Sequence, residues 1–173
     1  MKRRSFLKKA GLGLAAGTAA AAPGIVNAQG AGLPTISWRM AASWPKSLDT
    51  LYGGAEHIAK RVSEATGGKF TIKVFAAGEI VGGLQVLDAV QAGTVECGHT
   101  ATYYYFGKDQ TFAFGTAIPF GLNARQQYAF MKHGGGLEMM RDFYKDFNVI
   151  NFPAGNTGCQ MGGWFRKPIK SLA

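Results

Sequence analysis

Apolar side chains recur along the first half of this chain with two periods, one typical of strands and one typical of helices. Residues 34–44 are rich in strand-forming residues and predict a first strand. In residues 47–66 the apolar positions recur every three or four residues, which predicts a helix. Ser47 is the predicted N-cap of this helix, and Gly67 with Gly68 is expected to end it.

The same alternation continues through the next segments. Residues 69–78 alternate between apolar and polar side chains and predict a second strand. Residues 82–95 predict a short helix, and residues 96–106 predict a third strand that runs into a loop. Strands that alternate with helices are typical of parallel βαβ units, so the predicted fold class is α/β.

The second half of the chain predicts helices first and strands afterwards. An aromatic, loop-like segment is followed by two predicted helices, near 123–133 and 135–147. Two further strands are predicted over 147–155 and 156–166.

Basic residues are concentrated at the N-terminus. The net charge is +9, but five of the 19 basic residues lie in the first nine positions, so 14 basic residues remain against 10 acidic ones. No basic cluster is left in that remainder, which argues against a nucleic-acid-binding protein.

Residues 1–28 have the pattern of an export signal. A basic start is followed by a mildly apolar stretch rich in Ala and Gly, and small residues then precede Gln29. The pair Arg3-Arg4 ahead of Ser-Phe-Leu-Lys resembles a twin-arginine signal. We therefore expect cleavage after Ala28 and a periplasmic location.

The two cysteines, Cys97 and Cys159, leave their redox state open. An oxidising compartment permits a disulfide between them, whereas free buried thiols are also common. Their spacing says nothing about their proximity, and our interpretation favours free thiols.

The sequence contains few groups that could carry catalysis. It has no GxSxG, HExxH, CxxC or Walker motif, and its carboxylates are scattered rather than paired. The three histidines, His57, His99 and His133, have no evident metal-ligand partners in their neighbourhood. These observations favour a protein that is not an enzyme.

The last predicted strand carries the side chains best suited to recognition. Alternation along the strand places Asn156, Gln160, Trp164 and Arg166 on one face, with glycines between them. An amide, an aromatic wall and room beside the backbone would suit a small polar ligand. The alternative is a face that is simply exposed, with glycines marking bulges. For Arg166 we favour a surface role in the turn before Pro168.

A run of three tyrosines, Tyr103, Tyr104 and Tyr105, follows the third predicted strand. Ligands of open α/β sheets bind beyond the carboxyl ends of the strands, so these phenols and Trp44 are candidate ligand contacts. Adjacent tyrosines cannot all face one pocket. For each of these side chains, packing in an aromatic core is the alternative.

Several of these stretches together resemble a known family. The resemblance rests on the segment GKFTIKVFAAGEIVGGLQVLDAVQAGTVE and on the final residues KPIKSLA. They resemble the solute receptors of tripartite ATP-independent periplasmic (TRAP) transporters. The tyrosine run and GNTGCQMGGWFRKPI look like the branch that binds 2-oxo acids and related monocarboxylates.

The resemblance implies a two-lobed periplasmic solute-binding-protein fold of type II-like architecture that closes over its ligand. Residues 29–150 would form the N-terminal lobe, and residues 151–173 the hinge strand and the start of the second lobe. The implied partners are a small carboxylate and the subunits of a TRAP membrane permease. Some members of the family are homodimers.

The resemblance also implies how the ligand is held. In the 2-oxo acid branch the carboxylate is bound together with a sodium ion, and no organic cofactor is used. Gln160 matches the residue that reaches both ligand and cation. Asn156 and residues 103–105 fall at the pocket edge of that branch.

The chain also departs from the family pattern. Members are about twice as long, and their carboxylate-binding arginine lies in a segment that follows the SLA-like stretch. Arg166 does not match that arginine. We therefore expect this chain to be an N-terminal part of such a receptor.

Two other classes of protein stay open at this point. A receptor of another transporter class, with an amino acid or an aromatic acid as its ligand, has the same architecture. An enzyme exported by the twin-arginine route is the third reading, which the lack of cofactor motifs disfavours.

Overall fold

The structure is a computed structural model that describes residue 32, residues 34–158 and residues 162–171. The predicted export signal (1–28), Cys159 and Gln160 lie outside the described residues. The strands are β1 (Ile36–Ala42), β2 (Phe70–Phe75) and β3 (Cys97–His99). The α-helices are α1 (Asp49–Ala65), α2 (Val86–Gln91), α3 (Ala124–His133) and α4 (Gly136–Lys145). Two 3₁₀-helices span Thr102–Tyr105 and Gln110–Gly115.

The three strands form one parallel sheet in the order β2-β1-β3. Ile36 of β1 pairs with Phe70 of β2, and Met40 of β1 pairs with Cys97 of β3. Helix α1 connects β1 to β2, and α2 precedes β3, as parallel neighbours require. The predicted α/β class and the parallel pairing are both confirmed.

The first helix begins later than predicted, and Ser47 does not cap it. Leu48 occupies the N-cap position without a side-chain hydrogen bond. The Asp49 carboxylate instead accepts a hydrogen bond from the backbone N–H of Thr50 at 2.8 Å. A carboxylate in the first turn also offsets the positive end of the helix dipole, so Asp49 takes over part of a cap's role.

The third strand is much shorter than the predicted span of 96–106. Its partner β1 ends at Ala42, which pairs with His99. Beyond that pair no residue of β1 remains to accept or donate ladder hydrogen bonds. The chain therefore leaves the sheet and turns into the 3₁₀-helix Thr102–Tyr105.

The strands predicted over 147–155 and 156–166 are absent from the described residues of those segments. A strand needs a neighbour to take its backbone groups, and the described sheet consists of β1, β2 and β3 alone. The large side chains here are exposed, with Phe152 at 70% and Trp164 at 88% of their full accessible surface. In the described residues of 156–166 the predicted two-faced strand does not form, because its two-residue period has no partner strand there.

The main core lies between the 3₁₀-helices and the last two α-helices. Phe112 is fully buried at its centre, and its ring makes edge contacts with Tyr105 at 5.6 Å and Phe143 at 4.9 Å between centroids. The buried members of this cluster are Leu87, Tyr105, Phe112, Met131, Met140 and Tyr144. This core fixes the tyrosine-bearing 3₁₀-helix against α3 and α4.

No helix among the described residues is long and apolar enough to cross a bilayer.

Gly98 sets how closely α2 can approach the sheet. A Cβ atom at this position would lie 2.5 Å from Val86 Cγ1 and 3.2 Å from Val90 Cγ2. We expect Gly98→Ala to lower the free energy of unfolding by about 1–3 kcal/mol, because buried neighbours would have to move. Chemical denaturation measures this. Gly107→Ala is the control, since a Cβ there meets nothing within 4 Å, and equal losses in both variants would contradict the packing argument.

Arg39 and Glu96 join β1 to the start of β3. The carboxylate accepts hydrogen bonds from the Arg39 side chain at 2.8 and 3.1 Å and from the Arg39 backbone N–H at 2.7 Å. The side-chain bond first and the backbone bond second lower the pKa of Glu96 to about 2, from an ordinary value of 4.5.

This shift makes stability depend on pH in a defined window. The folded-state pKa is depressed, so the contribution of Glu96 is present above about pH 4.5 and is lost as the pH falls toward 2. We expect Glu96→Gln to lose this part of the pH dependence, measured by denaturant unfolding at several pH values. Glu56→Gln, which changes an exposed glutamate on α1, should retain it. Identical pH profiles for all three proteins would refute the assignment.

Candidate ligand-binding site

The candidate site lies at the carboxyl edge of the sheet. Ser43 and Trp44 directly follow β1, and Thr100 directly follows β3. Since β1 and β3 are parallel neighbours, these residues come together at one edge, and Ser43 N–H donates to the His99 carbonyl at 2.9 Å. Ligands of open α/β sheets bind at this kind of edge.

Trp44 forms the aromatic centre of this edge. Its side chain is buried, and its indole Nε1 donates a hydrogen bond to Tyr104 Oη at 3.1 Å. Its ring also meets His99 edge-on, with 5.0 Å between centroids. The predicted candidates Trp44 and Tyr104 are thus brought into direct contact.

The tyrosine run divides into two parts. Tyr103 and Tyr104 lie side by side with rings 4.9 Å apart in an edge-to-face arrangement, and Tyr103 is the more exposed of the two. Tyr105 is only 2% exposed and packs in the main core. The 3₁₀-helix separates them, because successive side chains turn by about a third of a revolution.

A chain of hydroxyl groups links Tyr105 to the sheet edge. Tyr105 Oη accepts from the backbone N–H of Leu87 at 3.1 Å and lies 2.8 Å from Thr100 Oγ1. Ser43 Oγ lies 2.6 Å from Thr100 Oγ1. Sequence reasoning missed Ser43 and Thr100. Their position directly after two predicted strands was the signal that could have identified them.

His99, at the end of β3, was also missed. Its Nδ1 atom is buried and has no hydrogen-bond partner within the part of the chain that the structure describes. Burial lowers the pKa of His99 below its ordinary value of 6.5, because the charged imidazolium loses hydration. The imidazole is therefore neutral at pH 7 and contributes to the edge as an uncharged polar ring.

The remaining candidates lie in the extended C-terminal segment. Asn156 is exposed, and its side-chain oxygen accepts from the backbone N–H of Gly158 at 2.6 Å. No hydrogen bond joins it to Trp44 or to the tyrosines among the described residues. Arg166 is exposed, as the surface interpretation expected. Gln160, the candidate for both ligand and cation, lies outside the described residues.

Cys97 is a half-buried free thiol, and Cys159, the other cysteine of the chain, lies outside the described residues. Its Sγ lies 3.8 Å from the Arg39 carbonyl oxygen. Burial raises the pKa of the thiol to about 11, so the reactive thiolate is scarce at neutral pH. Cys97 is therefore a packing residue.

The side chains that most often bind metal ions in proteins are not clustered in the described part of the chain. No group of three or more His, Cys, Asp or Glu residues there is placed to hold a metal ion. The sheet edge instead presents neutral oxygens and aromatic rings.

Comparison with protein families identifies the class. Residues 40–173 match the DctP model, which describes bacterial extracellular solute-binding proteins of family 7. The chain therefore belongs to this family, and the resemblance to TRAP solute receptors is confirmed.

A curated relative covers the whole of this chain. The monocarboxylate 2-oxoacid-binding periplasmic protein of Nostoc sp. is 59% identical over an alignment of 175 positions, which covers 100% of this chain and 48% of the relative. The chain thus spans about half the length of that relative.

Solved structures of TRAP solute-binding proteins share the fold. A protein from Bordetella bronchiseptica is 52% identical with a TM-score of 0.78, over 80% of this chain and 41% of the other; it is described as a dimer with copurified calcium and picolinate. A protein from Pseudoalteromonas atlantica is 40% identical with a TM-score of 0.75, over 78% and 41%, and has bound sodium and pyruvate. A protein from Colwellia psychrerythraea is 36% identical with a TM-score of 0.76, over 79% and 42%, and has bound calcium and pyruvate.

The buried imidazole of His99 predicts a second pH window for stability. Its folded-state pKa lies below 6.5, so its contribution is full above that pH and is lost as the pH falls through the folded-state pKa. We expect the wild-type melting temperature to fall more between pH 7 and pH 5 than that of His99→Phe, which keeps a ring beside Trp44. His57→Gln, at an exposed site, should behave like the wild type. An equal fall in His99→Phe would contradict the prediction.

Proposed function

We propose that this chain is the ligand-capturing N-terminal lobe of an extracytoplasmic receptor for small 2-oxo acids such as pyruvate. The observation that carries the proposal is the joined Trp44–Tyr104 pair at the carboxyl edge of the sheet. This pair combines an aromatic wall with polar tips, which a small organic anion requires. Relatives with 36–59% identity that bind 2-oxo acids, or are named for it, support the same ligand class.

The ligands bound in the related solved structures narrow the class of ligand that we propose. Pyruvate has a keto oxygen next to its carboxylate, and picolinate has a ring nitrogen in the same relative position. Each molecule therefore offers two adjacent acceptors, which can chelate a cation or accept two hydrogen bonds. We propose that the receptor selects a carboxylate with an acceptor on the adjacent carbon.

A sodium ion held with the ligand remains part of the proposal. Hard cations take neutral and anionic oxygens as ligands, and the phenols of Tyr103 and Tyr104 are oxygens of that kind. The Asn156 amide oxygen accepts one hydrogen bond, from the Gly158 N–H, and no hydrogen bond joins Asn156 to these tyrosines among the described residues. The described residues do not by themselves fit a cation site, and Gln160 is the residue assigned to it by the family resemblance.

The rest of the proposed role follows from the family. The receptor would work in the periplasm after export through residues 1–28, and it would deliver its ligand to a TRAP membrane permease. It would bind the ligand without chemical change, as a solute-binding protein and not an enzyme. Residues 29–150 would be its first lobe, and 151–173 would lead into the second.

A second ligand class has one specific observation in its favour. Trp44, His99 and Tyr104 place three aromatic rings together, and ring stacking suits an aromatic acid. The Bordetella protein with picolinate is 52% identical to this chain. Within the proposed class, an aromatic 2-carboxylate such as picolinate is therefore a second candidate ligand beside pyruvate.

Calorimetry with four ligands tests the proposal. Pyruvate and picolinate have the adjacent acceptor, whereas propionate and benzoate lack it. We expect heat of binding for the first pair alone, and stronger binding when sodium or calcium is present. Two proteins are titrated: this chain, and a fusion of it with the C-terminal half of the Nostoc relative. The fusion has the full length of that relative.

Variants of the tryptophans locate the site. Trp44→Phe removes the hydrogen bond to Tyr104 and should weaken pyruvate binding by about fivefold, in line with about 1 kcal/mol for one hydrogen bond. Trp38→Phe is the matched control, because Trp38 lies within β1 and packs on Phe70. The proposal is wrong if neither protein binds any carboxylate in any buffer, or if the two variants bind equally.

A further inference from the structure

The loop that follows β2 packs against the loop that follows β1. Because the two strands are parallel neighbours, both loops leave the sheet at its carboxyl edge. The Ala77 N–H donates a hydrogen bond to the Trp44 carbonyl oxygen at 3.1 Å. On the other side, the Ser43 N–H donates to the His99 carbonyl oxygen at 2.9 Å. The backbone that carries Trp44 is therefore held from both neighbouring strands.

Gly83, in the loop that follows β2, lies directly against the backbone of Ser43. A Cβ atom at Gly83 would be 2.4 Å from the Ser43 carbonyl oxygen and 3.2 Å from its carbonyl carbon. The first distance is far shorter than a van der Waals contact, so any side chain at this position would force one of the two backbones to move.

The loop that follows β2 is itself held in place by buried contacts. Ala76 is buried, and Ile80 and Val81 pack against a cluster that includes buried side chains of β1 and α2. Packed side chains of this kind resist displacement. A methyl group added at Gly83 would therefore shift the backbone that carries Trp44.

Glu79 forms a second link between the two loops. One oxygen of its carboxylate accepts from the Ala76 N–H at 2.8 Å, and the other accepts from Lys46 Nζ at 2.7 Å. Lys46 lies two positions after Trp44 in the sequence. An exposed ion pair stabilises little by itself, so Glu79 supports the contact that Gly83 makes with the backbone of Ser43.

We propose that the loop that follows β2 positions Trp44 for ligand binding, and that Gly83 is the positioning residue. The missing side chain of Gly83 lets this loop lie against Ser43, which sets where the indole of Trp44 stands at the sheet edge. Gly83 acts through Trp44 and does not itself contact the ligand. This role rests on the proposed function, in which Trp44 contacts the bound 2-oxo acid.

Two neighbouring glycines provide a matched pair of substitutions. Neither Gly82 nor Gly83 has a positive φ, so alanine adds a methyl group without left-handed backbone strain. In Gly83→Ala we expect the nuclear magnetic resonance signal of the Trp44 indole N–H to move in the ligand-free chain. Pyruvate should bind this variant about fivefold more weakly, because the ring is displaced.

Gly82→Ala is the matched control. The three nearest atoms to a Cβ at Gly82 all belong to the Gln85 side chain, whose flexible end can turn away. We expect the wild-type Trp44 signal in this variant and an affinity for pyruvate within about twofold of the wild type.

A second control separates lost stability from a displaced ring. Gly136→Ala would place a Cβ 2.6 Å from the Phe130 ring, where α3 and α4 pack together. It should lower the melting temperature and leave the Trp44 signal in place.

The measurements are the Trp44 signal, assigned by comparison with Trp44→Phe, and calorimetry with pyruvate on the 173-residue chain and on the fusion. A Trp44 signal that is unchanged in Gly83→Ala, or displaced equally in either control, would overturn the positioning role and leave the proposed function intact. A displaced signal with unchanged affinity would also overturn it.

Failure of the wild type to bind pyruvate in both proteins would overturn the proposed function and the role of Gly83 in binding with it. If Gly83→Ala does not fold, Glu79→Ala takes its place, because it removes both bonds of the carboxylate without adding atoms. A Trp44 signal at the wild-type position in Glu79→Ala would then overturn the positioning role.

Discussion

The parallel pairing of β1 with both of its neighbours determines where the candidate site lies. Because β1 and β3 run in the same direction, the residues that follow them leave the sheet at the same edge. This places Ser43 and Trp44 beside Thr100, although 57 positions separate Ser43 from Thr100 in the sequence. The bonds between Arg39 and Glu96 hold the same two strands together at the start of β3.

One side of this sheet edge packs on the main core, and the other side presents polar groups. The main core, centred on Phe112, holds the 3₁₀-helix that presents Tyr103 and Tyr104. Trp44 is buried against Tyr104 by a hydrogen bond and against His99 by a ring contact. A recognition surface built on packed elements in this way is pre-organised, which lowers the entropy lost when a small ligand binds.

Much of the fold could be predicted from the sequence, because the periodic apolar positions match the faces of the helices and strands that the structure buries. The helix predicted over 47–66 and the alternation of strands and helices are confirmed. The prediction failed for the third strand beyond His99, since only tertiary pairing shows that β1 ends at Ala42. It failed again for 147–166, where a two-residue period has no neighbouring strand in the described residues.

The candidate site was predictable in its aromatic part and not in its hydroxyl part. Trp44 and Tyr104 stood out as large side chains after predicted strands, and the structure joins them. Ser43 and Thr100 are common residue types with no distinctive spacing. Their importance depends on a contact across the sheet edge and on the burial of Tyr105, which only three-dimensional structure supplies.

We propose that this edge of the sheet contacts a small 2-oxo acid. The most direct measurement is the nuclear magnetic resonance signal of the Trp44 indole N–H, assigned by comparison with Trp44→Phe, during titration with pyruvate. We expect this signal and the amide signal of Thr100 to shift together and saturate, while the Trp38 indole signal stays in place. A titration that shifts neither the Trp44 nor the Thr100 signal, or that shifts the Trp38 signal equally, would contradict it.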